Sequence, residues 1–534
     1  MKKIFYVAVI AMLVTLFSCE QTSHKSMYLT TEDMQLAPVS AESTATSFED
    51  DFKEKHPNTE EYDTIIENRF CNVMQQPLST FSIDVDEAAY SNIRRYINQG
   101  TLPPKNAVRI EEMLNYFDYH YTQPTDGTPF AVYTEIAECP WNMKHRLVHI
   151  GLQGKSIEKK NLPSANLVFL IDVSGSMDEP NKLPLVKASL KMLADQLRPQ
   201  DNVSIVVYAG NAGLVLPSTS GKNKSKIKEA IDHLAAGGST AGGAGITLAY
   251  KVAKENFRKN GNNRIILATD GDFNVGVSSE DELVSLVEEE RKTGVYLTVL
   301  GFGMGNYKDN KMQQLADKGN GNHAYIDDAA EAQKVMVKEF GSTLFTIAKD
   351  VKLQVEFNPN VAKAYRLIGY ENRVMAAEDF NNDKKDAGEL GAGHTVTALY
   401  EVIPQGVTED TFINKADDLK YHTATTTTGN EAEIMTIKLR YKDPGGDISK
   451  LITHPVTDEN VPIETTSDNF RFSAAVAEFG LLLRNSEYKQ DANYRQVITM
   501  AKGAKGVDEN GYRAEFVQLV NTASALDATA RTEK

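Results

Sequence analysis

Cysteine is scarce in this 534-residue chain, which carries only Cys19, Cys71 and Cys139, with no C-x-x-C or paired His/Cys spacing of the kind that holds zinc. No G-x-S-x-G elbow occurs, and no G-x-x-x-x-G-K-[ST] phosphate loop follows a strand-like run. Positive charge is also short. The 57 Lys and Arg face 73 Asp and Glu, a formal net charge of -16. That balance argues against nucleic acid or an anionic lipid surface as the main partner. Beyond residue 17 no run is long or apolar enough to be a transmembrane helix.

What is present begins at the N-terminus. Lys2-Lys3 precede an apolar run from Ile4 to Phe17, too short to cross a bilayer and suited to a signal-peptide core. The run closes in Leu16-Phe-Ser-Cys19, which resembles a lipobox. The resemblance implies cleavage after residue 18, acylation of Cys19 and anchoring by lipid alone in a bacterial cell envelope, with the outer membrane ahead of the inner. Loss of residues 1–18 removes Lys2 and Lys3 and takes the net charge from -16 to -18. From Glu20 to about Asn68 the chain is rich in Ser, Thr, Glu and Asp and poor in large apolar residues. Such a stretch buries too little surface to offset its ordering entropy, so residues 19–70 are expected to form a flexible tether.

The most informative stretch is Asn166-Leu-Val-Phe-Leu-Ile171 followed by Asp172-Val-Ser174-Gly-Ser176. A continuous β-prone apolar run fits a strand buried on both faces in a parallel sheet. At its carboxyl end, where open α/β sheets bind ligands, it offers one carboxylate and two hydroxyls. Hard oxygen donors suit Mg2+ or a similar divalent ion. Further along come a glycine loop, Gly237-Gly-Ser-Thr240-Ala-Gly-Gly-Ala-Gly245, and a second buried run, Arg264-Ile-Ile-Leu-Ala-Thr269, ending in Asp270-Gly271.

At this point the sequence resembles the von Willebrand factor type A domain with its metal-ion-dependent adhesion site. The five positions of that family motif match Asp172, Ser174, Ser176, Thr240 and Asp270. The resemblance implies that Ser174 and Ser176 ligate Mg2+ (or Mn2+ or Ca2+) directly. It places Thr240 directly or through water, and Asp172 and Asp270 mainly through bound waters. Pro77–Asp86, Arg109–Phe117, Ala268–Gly276 and Gly391–Glu401 extend the likeness to a family of bacterial exported lipoproteins, from roughly Asn72 to the C-terminus. In that family a type A domain sits between a characteristic N-terminal segment and a C-terminal region of unknown function.

The expected architecture is α/β. A doubly wound, mostly parallel sheet at 162–348 is inserted in a β-sandwich, with helical segments at both ends. Residues 71–161 form the N-terminal segment, read as helical from 72 to 125 and as strands at Phe130–Glu138 and Arg146–Gly151. Residues 349–534 form a β-rich region plus closing helices, and strand Phe130–Glu138 is expected to pair with strands beyond residue 350. Strands are expected at Lys352–Phe357, Thr395–Val402 and Glu433–Tyr441, and a last type A helix near 329–345. His145 and His149 lie in an alternating stretch and are expected at the surface. Export makes a Cys71–Cys139 disulfide possible. Asp379-Phe-Asn381-Asn-Asp383 alternates oxygen ligands, but Lys384 stands where a calcium loop needs glycine, so it reads as a solvated hairpin loop.

Three functions compete. The first is a binding module, not an enzyme, that docks a protein partner's Asp or Glu carboxylate through the metal. The second is a scaffold for an envelope complex, binding through the sandwich or the helices. The third is a metal-assisted hydrolase, for which the motif offers no histidine and no general base beyond its two aspartates. Asp178, Glu179 and Asp272 flank the motif and would repel an acidic partner.

Overall fold

The computed structural model describes residues 58–534, apart from 85, 239–241, 272–279, 340–344, 386, 409–411, 413–431 and 533–534. The signal segment, Cys19, most of the 19–70 tether, Thr240 and Asp272 therefore lie outside the described residues.

The chain begins with β1 (Cys71–Asn72), β2 (Leu78–Ser82), α1 (Ala88–Asn98), α2 (Ile110–Asn115) and the hairpin β3 (Phe130–Cys139) and β4 (Asn142–Gly154). It then enters the α/β domain: β5 (Ala165–Asp172), α3 (Leu183–Gln196), β6 (Asn202–Tyr208), β7 (Ala212–Ser220), α4 (Lys224–Asp232) and α5 (Gly242–Glu255). The domain continues with β8 (Asn262–Thr269), α6 (Glu280–Arg291), β9 (Val295–Phe302), α7 (Asp309–Lys318), β10 (His323–Ile326) and α8 (Ala329–Gln333). Strands return as β11 (Thr346–Phe357), β12 (Ala362–Ile368), β13 (Val374–Met375), β14 (Gly388–Gly391), β15 (Thr395–Pro404), β16 (Glu433–Lys442) and β17 (Ser449–Thr457). Helices α9 (Asp468–Arg484), α10 (Tyr494–Gly503) and α11 (Tyr512–Thr532) follow.

The inserted sheet has the order β10-β9-β8-β5-β6-β7, parallel except for the β6–β7 pair. All eight residues of β5 are buried. Leu167, Phe169 and Ile171 pack towards α3, while Val168 and Leu170 pack towards α5 on the other face. This two-sided burial explains why the strand reads as one unbroken apolar run. On α3, Val186, Leu190 and Leu193 fall on one face and are buried, each contributing roughly 1.5–3 kcal/mol. Pro184 in the first turn costs the helix no hydrogen bond.

The two sandwich sheets run β1-β12-β15-β4-β3 and β13-β2-β11-β16-β17. Each contains strands from both sides of the α/β domain, which is therefore an insertion. Strand β3 itself sits at a sheet edge, pairs with β4 and makes an isolated bridge to the later chain at Ala137↔Val461; the ladder to the later strands runs through β4 and β15, from Arg146↔Val402 to Gln153↔Thr395.

Several expectations need correction. Residues 72–125 are not all helical, because β2 lies between β11 and β13. Its sequence lacks alternating apolar residues; instead Ser79, Thr80 and Ser82 hydroxyls accept hydrogen bonds from Tyr400, Gln354 and the Gly388 amide. The last type A helix stops at Gln333 and gives way to a π turn over Lys334–Lys338. His145 and His149 are buried, at 1 % and 2 % exposure. The outer face of their sheet is covered by α1, α2 and the C-terminal helices in one apolar cluster. There His149 bonds Tyr121 and Ser473, and His145 bonds Glu401 at 2.6 Å. Cys71 and Cys139 are both free thiols. In the loop at 379–383, expected as a solvated hairpin, Asp383 takes Arg440 at 3.1 Å and the Ser449 hydroxyl.

The described part of the tether region is also bound to the body. Thr59 and Glu61 donate backbone bonds to Gly305 and Tyr307, and Glu60 pairs with Arg95 at 2.7 Å. The N-terminal helices are clamped to the inserted domain by buried charges, Arg94 to Asp327 and Glu331, and Arg109 to Asp309.

Candidate metal centre

Strand order reverses between β5 and β8: the chain leaves β5 for β6 on one side and returns to β8 on the other. The carboxyl ends of those two strands form the switch-point crevice. Asp172 ends β5, and Asp270 directly follows β8; both are fully buried.

Backbone bonds shape the loop after β5. Val173 N–H donates to Tyr208 O at 3.0 Å, Gly175 N–H to Gly238 O at 3.1 Å, and Gly237 N–H to Val173 O at 2.8 Å. Main-chain bonds at Gly237 and Gly238 thus dock the start of the glycine loop on the serine loop. Gly238 sits at φ +86°, a conformation open to glycine. Gly271, at φ +91°, has Lys308 N 2.6 Å from where a side chain would begin, so the backbone after Asp270 also requires glycine.

Asp172 Oδ1 accepts from Ser174 N–H at 2.9 Å, and Oδ2 accepts from the Thr269 hydroxyl at 3.2 Å. Burial pushes the Asp172 carboxyl up to about 6, against the bonds from Ser174, with Asp270 adding a smaller push. Ser174 Oγ and Ser176 Oγ stand 3.1 Å apart. Adjacent ligands of an octahedral Mg2+ with bonds of about 2.1 Å lie about 3 Å apart, so the hydroxyl pair fits the edge of that coordination shell. The donor set is hard oxygen, which suits Mg2+, Mn2+ or Ca2+. Four of the five expected positions converge here; Thr240, in the glycine loop, lies outside the described residues.

Sequence reasoning missed Lys182 and Asn306. Lys182 Nζ reaches Asp270 Oδ2 at 3.2 Å and Asn306 Oδ1 at 3.2 Å, and Asn306 Nδ2 donates to Asp270 Oδ2 at 2.9 Å. Asn306 belongs to the β9–α7 loop that Thr59 and Glu61 strap down. No spacing rule ties it to the motif, since the contact exists only once the sheet has formed.

The fold defines the class: this is a von Willebrand factor type A domain protein. The type A domain family matches residues 166–340, a family described as von Willebrand factor matches 56–149, and the C-terminal family of the uncharacterized protein YfbK matches 342–526. The chain is 45% identical over 481 residues to the uncharacterized protein YfbK of Escherichia coli (strain K12), covering 88% of this chain and 82% of that protein. It belongs to the YfbK family. An uncharacterized protein of Synechocystis is 28% identical over 187 residues, 35% of this chain and 43% of its own length. Among solved structures, a von Willebrand factor type A protein from Catenulispora acidiphila matches 85% of this chain and 91% of its own at 14% identity, with a TM-score of 0.39. Type A domains mediate protein–protein interactions and often bind a divalent metal.

Proposed function

We propose that this chain is a lipid-anchored protein of the bacterial cell envelope that docks a protein partner at a divalent-ion site built from Asp172, Ser174, Ser176, Thr240 and Asp270. The observation behind the reading is the joint placement of two aspartates and two serines at one switch point, with the serine hydroxyls 3.1 Å apart. Lipid on Cys19 supplies the anchor. A bound Mg2+, Mn2+ or Ca2+ supplies a coordination position that an Asp or Glu carboxylate of the partner fills.

Charge balance supports an anionic partner. Asp172 and Asp270 bring two negative charges and Lys182 returns one, so a divalent ion leaves these buried groups with one net positive charge, which Glu179, 3.8 Å from Lys182, offsets in part from the exposed rim. Ser174 and Ser176 contribute none. Asp178 and Glu179 are exposed, so water and salt weaken their repulsion of an incoming carboxylate, with screening over roughly 8 Å at physiological ionic strength. The family's role in protein interaction favours a binding module over an enzyme.

Immobilised full-length protein should retain a partner from envelope extract in Mg2+ or Mn2+ and release it in EDTA. Asp172→Ala should retain none while keeping its thermal transition. Full-strength retention in EDTA would move the interaction off this face.

A further inference from the structure

At the opposite end of β8 from Asp270 lies a cavity of about 540 Å3, walled by the inserted domain on one side and by β2, β13 and β14 of the sandwich on the other. Six residues of strand separate Arg264 from Asp270, roughly 20 Å, so this is a separate place from the metal centre. The volume suits a small molecule.

Arg264 lines the cavity at 2 % exposure. Its NH1 donates to the Thr298 hydroxyl at 2.7 Å and its guanidinium stands 5.6 Å from the Tyr296 ring centre. Its Nε has no hydrogen-bond partner among the described residues. Burial pulls the group down to about 10, with Tyr296 and then Glu389 acting against that fall, so it stays charged at neutral pH. A buried guanidinium with an unsatisfied donor is costly and calls for a partner.

Glu389 is a lining carboxylate whose field reaches Arg264, but the guanidinium Nε still makes no hydrogen bond among the described residues, and the remaining lining carboxylates are engaged with other cations. The carboxylates of Asp84 and Asp317 are held by Arg373, and Glu288 lies 3.6 Å from Arg291 and 3.7 Å from Lys318. Arg291 also donates to Asn320 Oδ1 at 2.7 Å, which orients it at the cavity wall. On the sandwich side Lys384 and Lys385 add cations at the exposed lip. In a chain of net charge -16, this cavity gathers more cations than carboxylates.

We propose that the cavity between the inserted domain and the sandwich binds a small organic oxyanion, a carboxylate or phosphate on a polar body, with Arg264 as its buried anchor and Arg291 and Lys384 as supporting cations. A forked guanidinium presents parallel donors to two oxygens of such a group. The lining carries few apolar residues, which fits a polar rather than an aromatic ligand body.

The test is calorimetric titration of the full-length protein with citrate, inorganic phosphate and chloride. Divalent ions are left out, ionic strength is matched, and ligand stays in the low millimolar range, below the regime of general salt exclusion. Saturable binding of citrate or phosphate, but not chloride, is expected, and the stronger of the two names the oxyanion. Arg264→Gln should weaken it at least about tenfold, the loss of one charge-assisted bond. Lys384→Ala, at an exposed position, should weaken it in the same direction and serves if Arg264→Gln fails to fold. No saturable heat with either oxyanion, or unchanged affinity in these variants, overturns the proposal and leaves a water-filled polar cavity.

Discussion

Lys182 Nζ lies 3.2 Å from Asp270 Oδ2, with the lysine side chain only 3 % exposed. The lysine stem packs against Gly303, where a side chain would begin 2.5 Å from Lys182 Cε. A buried cation beside an ion site lowers the site's affinity for a second cation and raises its preference for an anion. Lys182→Met keeps the stem and removes the charge. Mg2+ should then bind about tenfold more tightly, while the carboxylate-bearing partner binds more weakly. Titration with Mn2+ followed by magnetic resonance reads the first effect; equal affinities in the two proteins would refute the role given to Lys182.

Glu478 sits in the middle of α9 with no exposed surface. Its Oε1 accepts from Asn493 N–H at 3.0 Å, and its Oε2 has no partner among the described residues. Burial pushes the carboxyl up to about 8. The folded chain therefore holds a proton that the unfolded chain loses near pH 4.5, so stability falls as pH rises from about 4.5 to about 8. At pH 7 the cost is roughly 3 kcal/mol. Glu478→Gln should melt several degrees higher at pH 8 and match the parent near pH 4.5. Parallel melting curves across that range would count against this account.

Cys19 is predicted to be the acylated residue. Cys19→Ala should lose radiolabelled fatty acid and move to the aqueous phase in a detergent phase separation. Persistent labelling would place the lipid on another residue and overturn the assignment to Cys19.

The sequence made some of these features legible and hid others for physical reasons. Strand β5 was readable because burial on both faces forces an apolar residue at every position from Leu167 to Ile171. The four described positions of the ion motif were readable because strand ends and their loops are local. Strand β2 was not, since its hydroxyls are satisfied by residues more than 270 positions away, such as Gln354 and Tyr400. His145 and His149 misled for a related reason. Alternation along β4 signals two unlike faces, but not that a layer of helices from the far end of the chain covers the second. Lys182 and Asn306 carry no pattern at all; only the folded loops bring them to Asp270.

The insertion has a consequence for cleavage. The chain leaves the sandwich at Gly154 and re-enters it at Thr346, so a protease cutting any loop between them produces two fragments. Those fragments remain stitched together by main-chain ladders: β2 lies between β11 and β13, and β4 runs beside β15 for eight paired residues. A nicked molecule would therefore run as two bands in denaturing gel yet elute as one particle in native buffer. The half carrying Asp172 would stay yoked to the half carrying Asp270 whenever the cut falls between them.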